Sequence, residues 1–180
     1  MRKPRKLEKN AFYHVSNKFH KLIQIIMNPR IKKMLLTLIH AAAEKFKFKV
    51  KNICILDTHF HMEIRPEEDE SLSEIMKYIK QRFTQWVNRT FNLEGSAWKD
   101  RFFSRIIRDL TDLVRVFVYI EENVVRAGLA KCAVDYPFYE VWEDIVKGNY
   151  FPDEVRDMQG TDPYSILALG SVPIFNRKFL

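Results

Sequence analysis

The sequence predicts an α+β fold, and three observations carry that prediction. Residues 45–51 and 59–65 alternate apolar and polar side chains one by one, the pattern of half-buried strands. Residues 31–42 and 72–87 instead repeat apolar side chains about every 3.6 positions, the pattern of core-facing helices. The stretches interleave along the chain as strand, helix, two strands, helix, strand, with one helix added at the end. That order matches a ferredoxin-like split βαβ arrangement, an antiparallel sheet with two helices on one face.

Taken in order, residues 1–10 are basic and lie outside the periodic pattern. Phe12, Tyr13 and Val15 suggest a strand over 11–17. Asn28 and Pro29 read as the cap and first turn of a helix. Ile31, Met34, Leu35, Leu38, Ile39 and Ala42 form its buried stripe, with Lys32 and Lys33 expected on the wet face. The strand from residue 45 presents a basic face and runs on through Ile53, Cys54, Ile55 and Leu56. Asp57-Thr58 makes a tight turn. On the returning strand His59, His61 and Glu63 share one face, while Phe60, Met62 and Ile64 share the other. Pro66 ends it, and residues 67–70 are an acidic loop.

Ser71-Leu72-Ser73-Glu74 fits a capping box. Leu72, Ile75, Met76, Ile79, Phe83, Trp86 and Val87 then hold helical spacing, with Lys77, Lys80, Gln81 and Arg89 opposite. After a turn at 92–95, residues 98–107 read as a strand. Lys99, Arg101 and Arg105 share one face of it with Phe103 between them, a pattern that suits phosphates and bases or an acidic partner within the chain. Asp109 or Asp112 caps the next helix, and Gly128 closes it. Its stripe is Leu113, Phe117, Ile120 and Val124. Tyr119 lies off that stripe, on a face with Arg115, Glu122, Asn123 and Arg126, and Asn123 is its neighbour one turn on. A short helix is expected over 135–145, and residues 149–180 read as an extension.

Bulk properties narrow the function classes. The 180 residues suit one domain with an appendage. Residues 1–51 hold 14 of the 30 Lys/Arg and only 2 of the 23 Asp/Glu, so a basic block precedes a mildly acidic remainder. Such a block suits a polyanion such as nucleic acid, or solubility alone. Two cysteines make neither a disulfide framework nor a zinc cluster. No signal-peptide pattern and no membrane-spanning run is present, so a cytoplasmic protein is expected.

The chemistry concentrates in His59-Phe60-His61. Side chains two apart on a strand point the same way, and two neutral imidazoles side by side can bind one divalent cation. Two histidines on a half-exposed strand can equally be ordinary polar residues.

Four segments together resemble the HUH-type single-tyrosine transposases, closest to the IS200-like, REP-associated branch. They are Phe12-Tyr13-His14-Val15; His59-Phe60-His61; the block from Asn88 to Phe103 with Gly95, Trp98 and Arg101; and Tyr119 to Gly128 followed by Asp135-Tyr136-Pro137. The resemblance covers roughly residues 12–140. It departs at Asp57-Thr58, where the family usually has Pro-Asn, and at Val124, where it usually has Pro. The resemblance implies a catalytic domain over residues 1–148. It implies cleavage and rejoining of single-stranded DNA beside hairpins, with Tyr119 as nucleophile and a 5′-phosphotyrosine intermediate. It implies Mg²⁺ or Mn²⁺ held by His59, His61 and Asn123. Glu63 and Glu122 are auxiliary groups or plain surface carboxylates. DNA contacts are expected from Lys99, Arg101, Arg105, Arg115 and Arg126, and from His14 unless it is structural. Relatives include homodimers that exchange the tyrosine helix and others that act alone. A catalytically diverged protein that only binds structured nucleic acid is the alternative.

Overall fold

The computed structural model describes residues 7–20, 26–67 and 71–142. Five strands form one antiparallel sheet: β1 (Phe12–Lys18), β2 (Phe48–Ile55), β3 (His59–Pro66), β4 (Phe103–Ile107) and β5 (Tyr139–Val141), in the order β4-β1-β3-β2-β5. Helices α1 (Pro29–Phe46), α2 (Leu72–Phe91) and α3 (Leu110–Arg126) complete it. Strand β3 lies between β1 and β2, which is the split βαβ arrangement predicted from the pattern.

The alternation of β3 divides the molecule. Phe60, Met62 and Ile64 are fully buried against α1 and α2, in a core with Tyr13, Val15, Val50, Ile53, Ile55, Leu35, Ile39, Ile79 and Phe83. The opposite face meets α3. There Cys54 and Leu56 pack with Ile107, Leu113, Val116, Ile120 and Val124. Burying one such side chain contributes about 1.5–3 kcal/mol, so both faces hold the sheet.

Helix ends follow their cap residues. Asn28 Oδ1 accepts from Arg30 N at 2.9 Å at the start of α1, with Pro29 in the first turn. Asp109, not Asp112, caps α3, its carboxylate accepting from Asp112 N at 2.7 Å. The capping box at Ser71 does not form, because no side-chain hydrogen bond joins Ser71 to the first turn of α2. Gly128, just past α3, has φ +68°, a left-handed conformation that glycine adopts without a Cβ clash.

Further expectations need correction. Residues 45 and 46 finish α1, and the basic alternation becomes strand only from Phe48, after Lys47 turns left-handed at φ 44°. Strand β4 begins at Phe103, and before it only Trp98 bridges, to Phe19. Lys99 and Arg101 are therefore exposed loop residues rather than part of a strand row. Residues 136–142 are not helical: a 3-10 turn, Ala133–Asp135, leads into β5, which pairs with the edge of β2, and residues 143–145 lie outside the described residues. Lys32 does not face water but is buried, as described below. The boundary at 148 and the extension 149–180 lie outside the described residues.

Candidate active site

The register of β1 on β3 builds the site. His14 stands opposite Glu63, Ser16 opposite His61 and Lys18 opposite His59. Side chains with the parity of His14 and His61 all point to the α3 face. His14 and His61 stack with ring centroids 5.2 Å apart, and His14 Nε2 lies 3.0 Å from His61 Nδ1. His59 and His61 have centroids 4.7 Å apart and rings nearly perpendicular, at 87°. His59 Nδ1 lies 2.7 Å from Thr58 Oγ1.

Helix α3 brings Tyr119 to this cluster. Its ring meets His61 edge-on at 5.4 Å and His14 at 5.7 Å between centroids, and the side chain stays 39 % exposed. The apolar stripe of α3 explains the placement. Val116, Ile120 and Val124 are buried against the sheet, and Tyr119 projects from the rim of that stripe. Asn123, one turn on, donates through Nδ2 to the Tyr119 carbonyl oxygen at 2.6 Å. Phe103 on edge strand β4 is 54 % exposed, and its ring lies 6.1 Å from that of His14.

Electrostatics keeps the imidazoles neutral. Burial, then the His59 and His14 rings beside it, pushes His61 down to about 3. Burial and the Arg105 charge push His14 to about 4, with Asp112 opposing. His59 is lowered by burial and by Lys18. Neutral imidazoles keep a lone pair for a cation. His61 Nε2 is buried with no hydrogen-bond partner, an orphan acceptor of the kind a metal ion would satisfy. Two imidazoles of one strand, one with such an orphan nitrogen, fit a divalent cation with open positions. Among the described residues no three His, Cys, Asp or Glu side chains group as a metal cluster.

Glu63 is not a surface carboxylate. It is fully buried, both oxygens lack partners, and burial raises its pKa. A bulge in β2 sets Lys51 and Asn52 together against it, and burial lowers the Lys51 ammonium. Asn52 Nδ2 donates to the Phe117 carbonyl of α3 at 3.1 Å, tying the helix to the sheet under the site. Glu122 is ion-paired with Arg126, whose guanidinium lies 5.9 Å from the Tyr119 ring centroid. Arg105 makes a forked pair with Asp112, at 2.7 and 3.0 Å. Arg115 is exposed on α3. The cluster thus gathers His14, His59, His61 and Tyr119, while Lys99, Arg101 and Arg115 are spread over the surface.

One assembly was not foreseen. Lys32 is 4 % exposed, pairs with Asp57 and donates to Tyr136 Oη at 2.9 Å, and Tyr136 Oη donates to the Ile55 carbonyl at 2.8 Å. Burial disfavours the ammonium, yet Asp57 and Tyr136 hold its pKa above the usual value. This latch joins α1, the turn before His59 and the segment after α3.

Residues 9–123 match the family described as "Transposase IS200 like". The chain belongs to the IS200-like transposase family. A Haemophilus influenzae protein named as a REP-associated tyrosine transposase is 31 % identical over 121 residues, which cover 62 % of this chain and 68 % of that one. The REP-associated tyrosine transposase of Escherichia coli is 29 % identical over 112 residues, 62 % of this chain and 65 % of that one. The fold is that of a solved REP-associated tyrosine transposase bound to a REP hairpin, with TM-score 0.67 and 24 % identity over 84 % of this chain and 89 % of that one. No helix among the described residues of this family member is long and apolar enough to cross a membrane.

Proposed function

We propose that this transposase-family protein cuts and rejoins single-stranded DNA next to a hairpin, with Tyr119 as the nucleophile. One observation carries the reading. The phenol of α3 and the histidine pair of β3 meet within a single chain, with Tyr119 and His61 ring centroids 5.4 Å apart. The solved relative of the same fold is bound to a REP hairpin, which supports a hairpin partner here.

In this reading Tyr119 Oη attacks a backbone phosphorus. The bond from phosphorus to the 3′ oxygen breaks, giving a 5′-phosphotyrosine and a free 3′-hydroxyl, with the phenolic proton passing to solvent and the leaving 3′ oxygen taking one from it. A later 3′-hydroxyl attacks the same phosphorus and releases Tyr119. The ester bond is conserved throughout, so rejoining needs no external energy source. A phenol with an ordinary pKa of about 10 is a weak nucleophile at neutral pH, so the phosphate must be made a better electrophile. His59 and His61, with the Asn123 carbonyl oxygen, are the residues that would hold Mg²⁺ or Mn²⁺. Such an ion supplies charge stabilisation at the scissile phosphate. Burial of the His61 ring excludes water from its inner side. The Asn123 bond to the Tyr119 carbonyl braces the last turns of α3 around the nucleophile. Exposed Lys99, Arg101 and Arg115 are among the cations available to DNA phosphates.

The test is incubation with labelled hairpin-flanked single-stranded DNA and Mn²⁺. A covalent protein–DNA adduct is expected, absent in chelator and absent in Tyr119→Phe. Native-level binding with no adduct at any tested end sequence would leave a binding protein in place of a strand transferase.

A further inference from the structure

Each imidazole has two nitrogens, and in both motif histidines the same one is engaged inside the protein. His59 Nδ1 lies 2.7 Å from Thr58 Oγ1, and His61 Nδ1 lies 3.0 Å from His14 Nε2. The Nε2 atoms are left over. For His61 that atom is buried with no partner. A neutral imidazole carries one proton, and its position decides what Nε2 can do.

Two assignments are open to each ring. With the proton on Nε2, Thr58 donates to His59 and His14 donates to His61. His61 Nε2–H is then a buried donor with no acceptor, and neither ring offers a lone pair. With the proton on Nδ1, Thr58 Oγ1 and His14 Nε2 both accept, and both Nε2 atoms keep a lone pair. Either way His61 Nε2 is buried without a partner in the protein, and only the second assignment lets a cation satisfy it, because a cation binds a lone pair and not an N–H.

We propose that Thr58 and His14 are positioning residues that hold His59 and His61 as Nδ1-protonated tautomers, so that both present Nε2 as the cation-binding atom. The proposal rests on the reading of these histidines as a metal pair. Nearly all ligating histidines donate their second ring nitrogen to such an outer partner, and losing the partner typically weakens metal binding by about 10–100-fold. The two partners act from different elements. Thr58 belongs to the turn before β3, so it is carried with His59. His14 sits across the sheet on β1, opposite Glu63, and fixes the orientation of His61 by stacking at 25° between ring planes as well as by its nitrogen. To accept through Nε2, His14 must carry its own proton on Nδ1.

Thr58 is exposed, so its hydroxyl can be removed without opening the core. The first measurement is long-range ¹⁵N NMR of the histidine rings in chelator. It should find Nδ1 protonated and Nε2 bare in His59, His61 and His14. The second compares Thr58→Val, which keeps the shape and loses the hydroxyl, with Thr58→Ser, which keeps the hydroxyl. Mn²⁺ titration followed by electron paramagnetic resonance should weaken by about 10–100-fold in the valine variant. The serine variant should restore the native value, with the melting temperature of all three unchanged. Protonated Nε2 on either motif histidine overturns the proposal, as does native Mn²⁺ affinity in Thr58→Val. A native protein that binds no Mn²⁺ defeats the metal reading instead. The ring nitrogens still report the tautomers in that case, so the two failures are distinguishable.

Discussion

The two faces of the sheet share strands yet are built on opposite rules. Toward α1 and α2, the β3 residues Phe60, Met62 and Ile64 are fully buried among other apolar side chains. Toward α3, the alternate residues His61 and Glu63 are buried as well, beside His14, Lys51 and Asn52, and several of their polar atoms lack partners. Buried orphan polar groups are costly and uncommon, so their concentration on one face marks it as the working face. One face supplies stability, and the other uses some of it to hold chemistry in place.

The comparison is broken most directly on neighbouring residues of β3. Phe60→Ala should cost about 3–5 kcal/mol in chemical denaturation, through lost burial and a cavity. His61→Ala should cost roughly 1 kcal/mol while removing strand cleavage. Equal losses in stability would mean that the α3 face is structural like its opposite.

The next effect sharpens where the α3 face is closed. Cys54 is fully buried there, and burial pushes its thiol up to about 12, whereas Cys132 is half-buried in the loop beyond α3. With a disulfide reagent near pH 8, Cys54 should react more than about 100-fold slower than Cys132, since the thiolate is the reactive form. Comparable rates would show that α3 opens readily from the sheet.

Lys32→Met tests the latch behind the site. Removing the ammonium leaves Asp57 without its cation and the Tyr136 hydroxyl with only its bond to the Ile55 carbonyl, and Asp57 can turn toward water, so a loss of about 1–3 kcal/mol is expected by thermal unfolding. A change within error would mean that the turn before His59 is held by its backbone alone.

The smallest effect lies at the rim. The forked Arg105 pair lowers the Asp112 carboxyl below the usual range. A carboxyl lowered in the folded state contributes stability above its unfolded value, near 3.9, and that contribution is lost as pH falls through the folded value. The Arg105 side chain is 45 % exposed, so solvent screens the pair, and Asp112→Asn should cost only about 0.2–1 kcal/mol at pH 7, with the gap to the native protein closing in acid. A gap that persists in acid would assign the loss to the helix end instead.

The sequence made the architecture readable because hydrophobic periodicity is local. Each period was visible within its own segment, and the order of segments limited the topology. Tyr119 was readable as lying off the α3 stripe for the same reason. Lys32 was misread because a lysine beside an apolar stripe normally reaches water, and its partners lie 25 and 104 positions away. Lys51 keeps the face that alternation gives it, but α3 covers that end of the face, and the cover comes from a segment about 60 positions on; the bulge in β2 instead redirects Asn52 and Ile53. The role of His14 depended on the register of β1 against β3, which no local pattern encodes. Asp57 and Thr58, which stand where the family usually has Pro-Asn, are both engaged, one in the latch and the other with His59.

The convergence of one phenol and one histidine pair is tested most directly by finding which side chain carries the DNA. The protein is incubated with a hairpin-flanked strand and Mn²⁺, digested, and mapped by mass spectrometry. The account predicts a nucleotide 5′-phosphate on the peptide containing Tyr119 and on no other tyrosine peptide. A nucleotide on the peptide of Tyr13, Tyr78 or Tyr136, with Tyr119 unmodified, would contradict it.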